Sequence, residues 1–149
     1  MARESKIFSP TLLGVEKTIA HYECFGWELI SWDNQHVTMA RETQHPAYSE
    51  LVKNQMAYEA LVKQYEGISY PDAPATPKPI SLKVAFVTFL CLVVPCALYL
   101  AYKIKKKQDY NNAYADYEHA VVATEQRKKD LLNEMEQIAA TSRALFFSA

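Results

Sequence analysis

Four residues in the first third of the chain, His21, Cys24, His36 and His45, have side chains that commonly bind zinc. On a helix, His21 and Cys24 would face one ion because they lie three positions apart. However, the spacing of the four residues matches no standard zinc pattern. We therefore predict no metal and no other cofactor, and these four residues are the candidates if a metal is bound.

The sequence indicates no other catalytic chemistry. Cys24 could act as a nucleophile with His21 as its base, but neither an oxyanion hole nor a substrate cleft is indicated. The chain has only three glycines, too few for a glycine-rich phosphate-binding loop. Its formal net charge of −1 gives no electrostatic indication of a nucleic-acid partner. We predict a protein that is not an enzyme and does not bind nucleic acid.

The elements that would position these side chains begin with a helix. Ser9 is a suitable N-cap, Pro10 suits the first helical position, and Gly26 suits the end of the helix. An apolar stripe at helical spacing runs along this segment, formed by Leu12, Val15, Ile19 and Tyr22.

A β-hairpin is predicted next, in the stretch WELISWDNQHVTMARE. Asp33 and Asn34 tolerate left-handed backbone and therefore favour a tight turn between two strands. With that turn, one face of the hairpin would carry Ile30, Trp32, Val37 and Met39.

A second helix is predicted between Pro46 and Gly67. Its apolar stripe consists of Tyr48, Leu51, Gln55, Tyr58, Val62 and Tyr65. Residues 1–68 should therefore form an α+β head with the element order α-β-β-α.

Part of this head resembles a known family. The stretch HYECFGWELISWDNQHVTMARE is similar to a small bacterial domain family of unknown function, through Gly26, Trp27, Glu28 and Leu29 and, more loosely, Arg41. The family usually has a strand before its first helix, and the sequence gives no sign of that strand. The resemblance implies a bacterial origin and an α+β hairpin unit, and it implies no activity or functional residue.

The middle of the chain is strongly apolar. After a Pro/Ala-rich spacer at residues 69–83, residues 84–102 have the length and composition of a transmembrane helix. A buried core helix and a membrane hairpin turning at Pro95 are the alternatives. The lysines that follow place the C-terminal side in the cytoplasm, and the side of the head stays open. These residues, expected to fix topology and attract anionic lipid, are Lys103, Lys105, Lys106 and Lys107.

One long amphipathic helix is predicted over residues 103–149, because no glycine or proline follows Pro95. Steps of four and three residues along it define an apolar seam typical of coiled coils. Its predicted interaction residues are Tyr110, Tyr114, Tyr117, Val121, Leu131, Met135, Ile138 and Leu145. The seam could pack on the chain's own head or on lipid, pair with a second copy, or pair with a different protein.

Together these patterns predict a single-pass, bacterial membrane protein that acts as a scaffold or accessory subunit through helix-mediated assembly. Its expected partners are membrane lipid and protein, either a second copy or a larger membrane complex. Two other hypotheses remain open. One is a metal-dependent sensor or enzyme that uses the His/Cys cluster, and the other is a small regulator that perturbs membranes.

Overall fold

The computed structural model describes residues 2–33, 35–78 and 93–148. The elements in these ranges are β1 (Arg3–Phe8), α1 (Val15–Glu23), β2 (Trp27–Trp32), β3 (Val37–Glu42), α2 (Tyr48–Gly67) and α3 (Val93–Ser148). The chain divides into two compact units. The head unit comprises Met1–Ser69 and Gln126–Ala149, and the helical unit comprises Tyr70–Glu125.

The head unit contains an antiparallel sheet in the order β1-β3-β2, with β3 in the centre. Phe8 of β1 lies opposite Val37 of β3, and Trp27 of β2 lies opposite Arg41. Side chains of directly opposed residues project from the same face of a sheet. The face defined by these pairs is the one that carries the core.

The predicted α-β-β-α order was wrong, because strand β1 precedes α1 and the head has the order β-α-β-β-α. Strand β1 is an edge strand, and only Phe8 among its residues is buried, so its sequence lacks a clear apolar alternation. Helix α1 begins at Val15 rather than beside Pro10, because Gly14 precedes it with a φ of 94°. It ends before Gly26, whose φ of 80° is the left-handed conformation that glycine adopts readily.

The predicted hairpin register was also wrong in part. Trp32 lies opposite Val37, but Leu29 rather than Ile30 lies opposite Met39, because the register shifts between Leu29 and Ser31. A β-bulge inserts one extra residue and changes which side chains share a face. Trp32 is still 58% exposed, so the outer end of β2 lies beyond the core.

Within the described ranges, three helices cover the sheet's inner face. Buried side chains from α1 and α2 pack with those of the strands, and α3 contributes Met135, which has no exposed surface. The core cluster consists of Phe8, Tyr22, Phe25, Trp27, Val37, Met39, Tyr58, Val62 and Met135. The C-terminal part of α3 is therefore an integral part of the head unit.

The prediction of a transmembrane helix at residues 84–102 needs correction. Residues 84–92 lie outside the described ranges, and from Val93 to Tyr102 the chain forms the first turns of α3. These apolar turns continue directly into the lysines that begin at Lys103. None of the helices in the described ranges is both long enough and apolar enough to cross a membrane.

The predicted spacer is described only as far as Lys78. Residues 68–78 form neither helix nor strand, and residues 79–83 lie outside the described ranges. Within the helical unit, Lys103 Nζ donates a hydrogen bond to the main-chain oxygen of Lys78 at 3.4 Å. The end of the described spacer therefore lies against the first turns of α3.

Candidate functional site

The structure does not bring the four candidate zinc ligands together. His36 is an exposed loop residue, and its Nδ1 lies 3.8 Å from Asp33. His45 stacks on the ring of Phe146 at a centroid distance of 4.7 Å, and its Nδ1 accepts a hydrogen bond from the main chain. Within the described ranges, no three or more His, Cys, Asp or Glu side chains are placed to hold a metal ion.

His21 and Cys24 are engaged separately at the end of α1. His21 Nδ1 lies 2.6 Å from the hydroxyl of Tyr58, and Cys24 Sγ donates to the main-chain oxygen of Ala20 at 3.2 Å. Burial raises the pKa of the Cys24 thiol, and the positive charge of Arg143 lowers this pKa in part. A raised thiol pKa reduces the thiolate fraction at neutral pH. This environment does not activate Cys24 as a nucleophile.

The His21 imidazole is held in an environment that favours its neutral form. Burial lowers the pKa of His21, the Glu136 carboxylate raises it in part, and Lys17 lowers it further. Burial also raises the pKa of Tyr58, so its hydroxyl stays protonated at neutral pH. Because Tyr58 can then donate to Nδ1, the contact is a hydrogen bond within the core rather than a catalytic pair.

We predict that His21 makes the head less stable in mild acid. Its pKa is lowered in the folded state, so the unfolded chain binds more protons than the folded chain as pH falls below about 6.5. The free energy of unfolding should therefore fall between pH 7 and pH 5. His21→Asn, which cannot titrate, should lose less stability over this interval than the unsubstituted protein. Urea unfolding at both pH values measures the difference.

The control for this experiment is His36→Asn in the exposed loop, which should keep the unsubstituted protein's loss of stability. An equal loss in the His21→Asn and His36→Asn variants would contradict the prediction.

Sequence reasoning missed an extensive polar network among the described residues of the head unit, which is centred on Arg41. Arg41 is 4% exposed. Its Nε and Nη2 donate to Oε1 of Glu4 at 2.7 Å and 2.5 Å, and its Nη1 donates to Gln55 Oε1 at 3.0 Å. The guanidinium carbon lies 4.5 Å from the centroid of the Trp27 ring and 4.9 Å from that of Tyr48. Charge pairing and cation–π contacts thus compensate for burying this cation.

The network continues from Gln55 to the surface. Gln55 Oε1 also accepts from Trp27 Nε1 at 2.9 Å, and Gln55 Nε2 donates to Glu59 Oε1 at 2.8 Å. The Tyr22 hydroxyl donates to the same Glu59 oxygen at 3.3 Å, and Lys6 Nζ lies 3.7 Å from it. Burial, together with the Glu59 carboxylate, raises the pKa of Tyr22. The hydrogen bonds connect α1 and β2 to α2.

This network connects elements of the fold. Among the described residues that are buried, every side-chain nitrogen and oxygen has a hydrogen-bond partner. A sequence signal for Arg41 did exist. Val37, Met39 and Arg41 occupy alternate positions of one strand, which places the arginine on the inward face. A charged residue on an inward face predicts a buried partner.

The predicted seam of α3 is partly covered within the head unit. Leu131 is 1% exposed, Met135 has no exposed surface, and Ile138 packs against the core cluster. Further along, Ser142 Oγ accepts a hydrogen bond from Asn54 Nδ2 of α2 at 3.1 Å. These residues follow the predicted four-and-three spacing, and here the partner of the seam is the chain's own head.

The last turn of α3 is anchored by Phe146. A Cβ atom added at Gly26 would lie 3.0 Å from the Phe146 ring, so the ring sits closely over this glycine. Phe146 also stacks on His45, whereas Phe147 is 74% exposed. Leu145, the last predicted seam residue, is half-buried.

The upstream part of the same seam lies in the helical unit and is less buried than the downstream part. Tyr114 is 41% exposed, and Tyr110, Tyr117 and Val121 are half-buried. The tyrosine rings follow one another along the helix, with centroid distances of 6.0 Å from Tyr110 to Tyr114 and 5.9 Å from Tyr114 to Tyr117. We call Tyr110, Tyr114, Tyr117, Val121 and Thr124 the tyrosine seam.

No protein-family model, curated protein or solved structure matches this chain. The surfaces described above are therefore the basis for a functional hypothesis. Among these surfaces, the tyrosine seam has the same four-and-three spacing that buries Leu131 and Met135 further along α3.

Proposed function

We propose that this protein is a non-enzymatic scaffold or accessory subunit, and that the tyrosine seam pairs it with a second copy of itself. The observation that carries the proposal is the continuity of the seam. Its downstream part buries Leu131 and Met135 against the head, while the same spacing upstream presents exposed aromatic surface. A helix face with this pattern is typical of helix pairing.

The chemistry of the seam favours a second copy as the occupant. Two identical helices bring tyrosine rings against tyrosine rings, and aromatic pairs contribute beyond the surface that they bury. Ala113 and Ala120 flank the seam on one side, and such small side chains permit close approach of a neighbouring helix. Dimers with two-fold symmetry are the commonest soluble oligomers, and they use one self-complementary patch.

Two neighbouring valines provide a matched test. Val121 belongs to the tyrosine seam, whereas Val122 is 63% exposed and lies outside it. Val121→Asp should weaken pairing by about tenfold or more, because an aspartate would be placed in an apolar interface. Val122→Asp introduces the same charge one residue away and should leave pairing unchanged.

Co-purification of two differently tagged full-length copies in a neutral detergent measures this effect. The unsubstituted copies and the Val122→Asp copies should co-purify, and the Val121→Asp copies should not. Equal recovery of both variants would show that the tyrosine seam is not the interface. Failure of the unsubstituted copies to co-purify would contradict self-association.

A further inference from the structure

A groove in the helical unit lies between the end of the spacer and the first turns of α3. It has a volume of about 480 Å³, which is within the range of sites that bind small organic ligands. Its apolar lining comes from Pro77, Leu100, Ile104 and Tyr110. Leu100 is 42% exposed and Ile104 is 66% exposed, so apolar surface is available to an occupant.

The remaining lining of this groove is strongly basic. Lys78, Lys103, Lys106 and Lys107 line it, and none of its lining residues within the described ranges is acidic. The Lys103 ammonium is held at the spacer side of the groove by the main-chain oxygen of Lys78, 3.4 Å away. Four amines around exposed aliphatic side chains create a site for a ligand that is anionic at one end and apolar at the other.

Other anions fit this groove less well. A free inorganic phosphate would pair with the amines but would leave Leu100 and Ile104 uncovered. A second groove shares Pro77, Lys78 and Lys103 with the first but includes Asp109 in its lining, and this carboxylate disfavours an anion there. The 480 Å³ groove differs from the second groove in having Lys107, Leu100 and Ile104 in its lining and lacking Asp109.

We propose that this groove binds an anionic phospholipid, with the phosphate on the lysines and part of an acyl chain on Leu100 and Ile104. The proposal does not require pairing through the tyrosine seam, with which the groove shares Tyr110. It assigns a ligand-binding role to Lys103, Lys106 and Lys107, and it adds Lys78 from the spacer. Binding requires both halves of the groove, because the lysine amines bind the headgroup and the aliphatic side chains contact the acyl chain.

Calorimetric titration of the full-length protein in a neutral detergent tests the headgroup preference. Short-chain phosphatidylglycerol should bind at least about tenfold more tightly than short-chain phosphatidylcholine, because lysines near an anionic group contribute about 1 kcal/mol each. Inorganic phosphate should bind more weakly than phosphatidylglycerol. Equal affinity for the two lipids, or equal affinity for phosphate and phosphatidylglycerol, would overturn the proposal.

Substitutions separate the two halves of the groove. Lys103→Gln combined with Lys106→Gln and Lys107→Gln should weaken phosphatidylglycerol binding by about a hundredfold. Ile104→Ser keeps every charge and should weaken binding by about tenfold through lost apolar burial. The control removes three exposed lysines of the head together, namely Lys17, Lys53 and Lys63. A control that loses as much affinity as the groove variant would also overturn the proposal.

Discussion

Replacement of Met135 by alanine should destabilise the head by about 3 kcal/mol, within the range for large-to-small substitutions at buried sites. Met135 has no exposed surface and belongs to the core cluster together with Tyr58 and Trp27. A loss of this size is a large part of the typical total stability of about 5–15 kcal/mol. Urea unfolding, followed by the fluorescence of the buried Trp27, measures it.

Met56 provides the matched control, because it is a methionine of α2 that is 68% exposed. Met56→Ala should change the free energy of unfolding by less than about 0.5 kcal/mol. If Met135→Ala were as mild as Met56→Ala, the C-terminal part of α3 would not belong to the core of the head.

The second large effect is expected at Glu4. Glu4→Gln leaves the Arg41 guanidinium without its carboxylate, although the Arg41 side chain is only 5% exposed. Removing one partner of a buried pair costs about 3–5 kcal/mol, because the remaining charge is uncompensated. We expect a loss of about 2 kcal/mol, below that range, because the Glu4 side chain is 35% exposed and water can reach the site.

An exposed ion pair on the same sheet serves as the control. Arg3 pairs with Glu28, and their side chains are 56% and 68% exposed. Glu28→Gln should change the free energy of unfolding by less than about 1 kcal/mol. Replacing Glu4 and Arg41 together by methionine should recover stability relative to Glu4→Gln, since no buried charge remains. Equal effects of Glu4→Gln and Glu28→Gln would contradict the structural role of the Arg41 network.

Helix α2 was the most predictable element of the head. Its stripe recurs at steps of three and four residues, and Leu51, Gln55, Tyr58 and Val62 from that stripe are buried. Strand β1 was not predictable, because it is an edge strand in which Phe8 alone is buried. Apolar residues recur periodically in a sequence only where one face of a helix or strand is buried along its length.

Local sequence patterns could not predict polar contacts between residues that are far apart in the chain. Glu4 and Arg41 are 37 positions apart, and no spacing rule connects a residue in an edge strand with one in the central strand. The same holds for Phe146, which reaches Gly26 and His45 only through the tertiary fold. His21 and Cys24 illustrate the opposite error, because suitable spacing on one helix did not place either side chain in a common site.

The seam of α3 shows what heptad spacing can and cannot specify. Leu131 and Met135, which follow this spacing, are buried in the head unit. The spacing did not identify the partner, because the chain's own head and a second helix both require the same apolar stripe. The transmembrane prediction was wrong in a related way. Apolar composition predicts a bilayer-spanning helix, but no helix in the described ranges is both long enough and apolar enough to cross a membrane.

In the proposed assembly, the upstream tyrosine seam pairs two copies while the downstream seam completes the head. Sedimentation equilibrium of the full-length protein, in a density-matched neutral detergent, tests this most directly. We predict a polypeptide mass twice that of one chain, and a mass close to that of one chain for the Val121→Asp variant. A single-chain mass for the unsubstituted protein across the accessible concentration range would contradict the account.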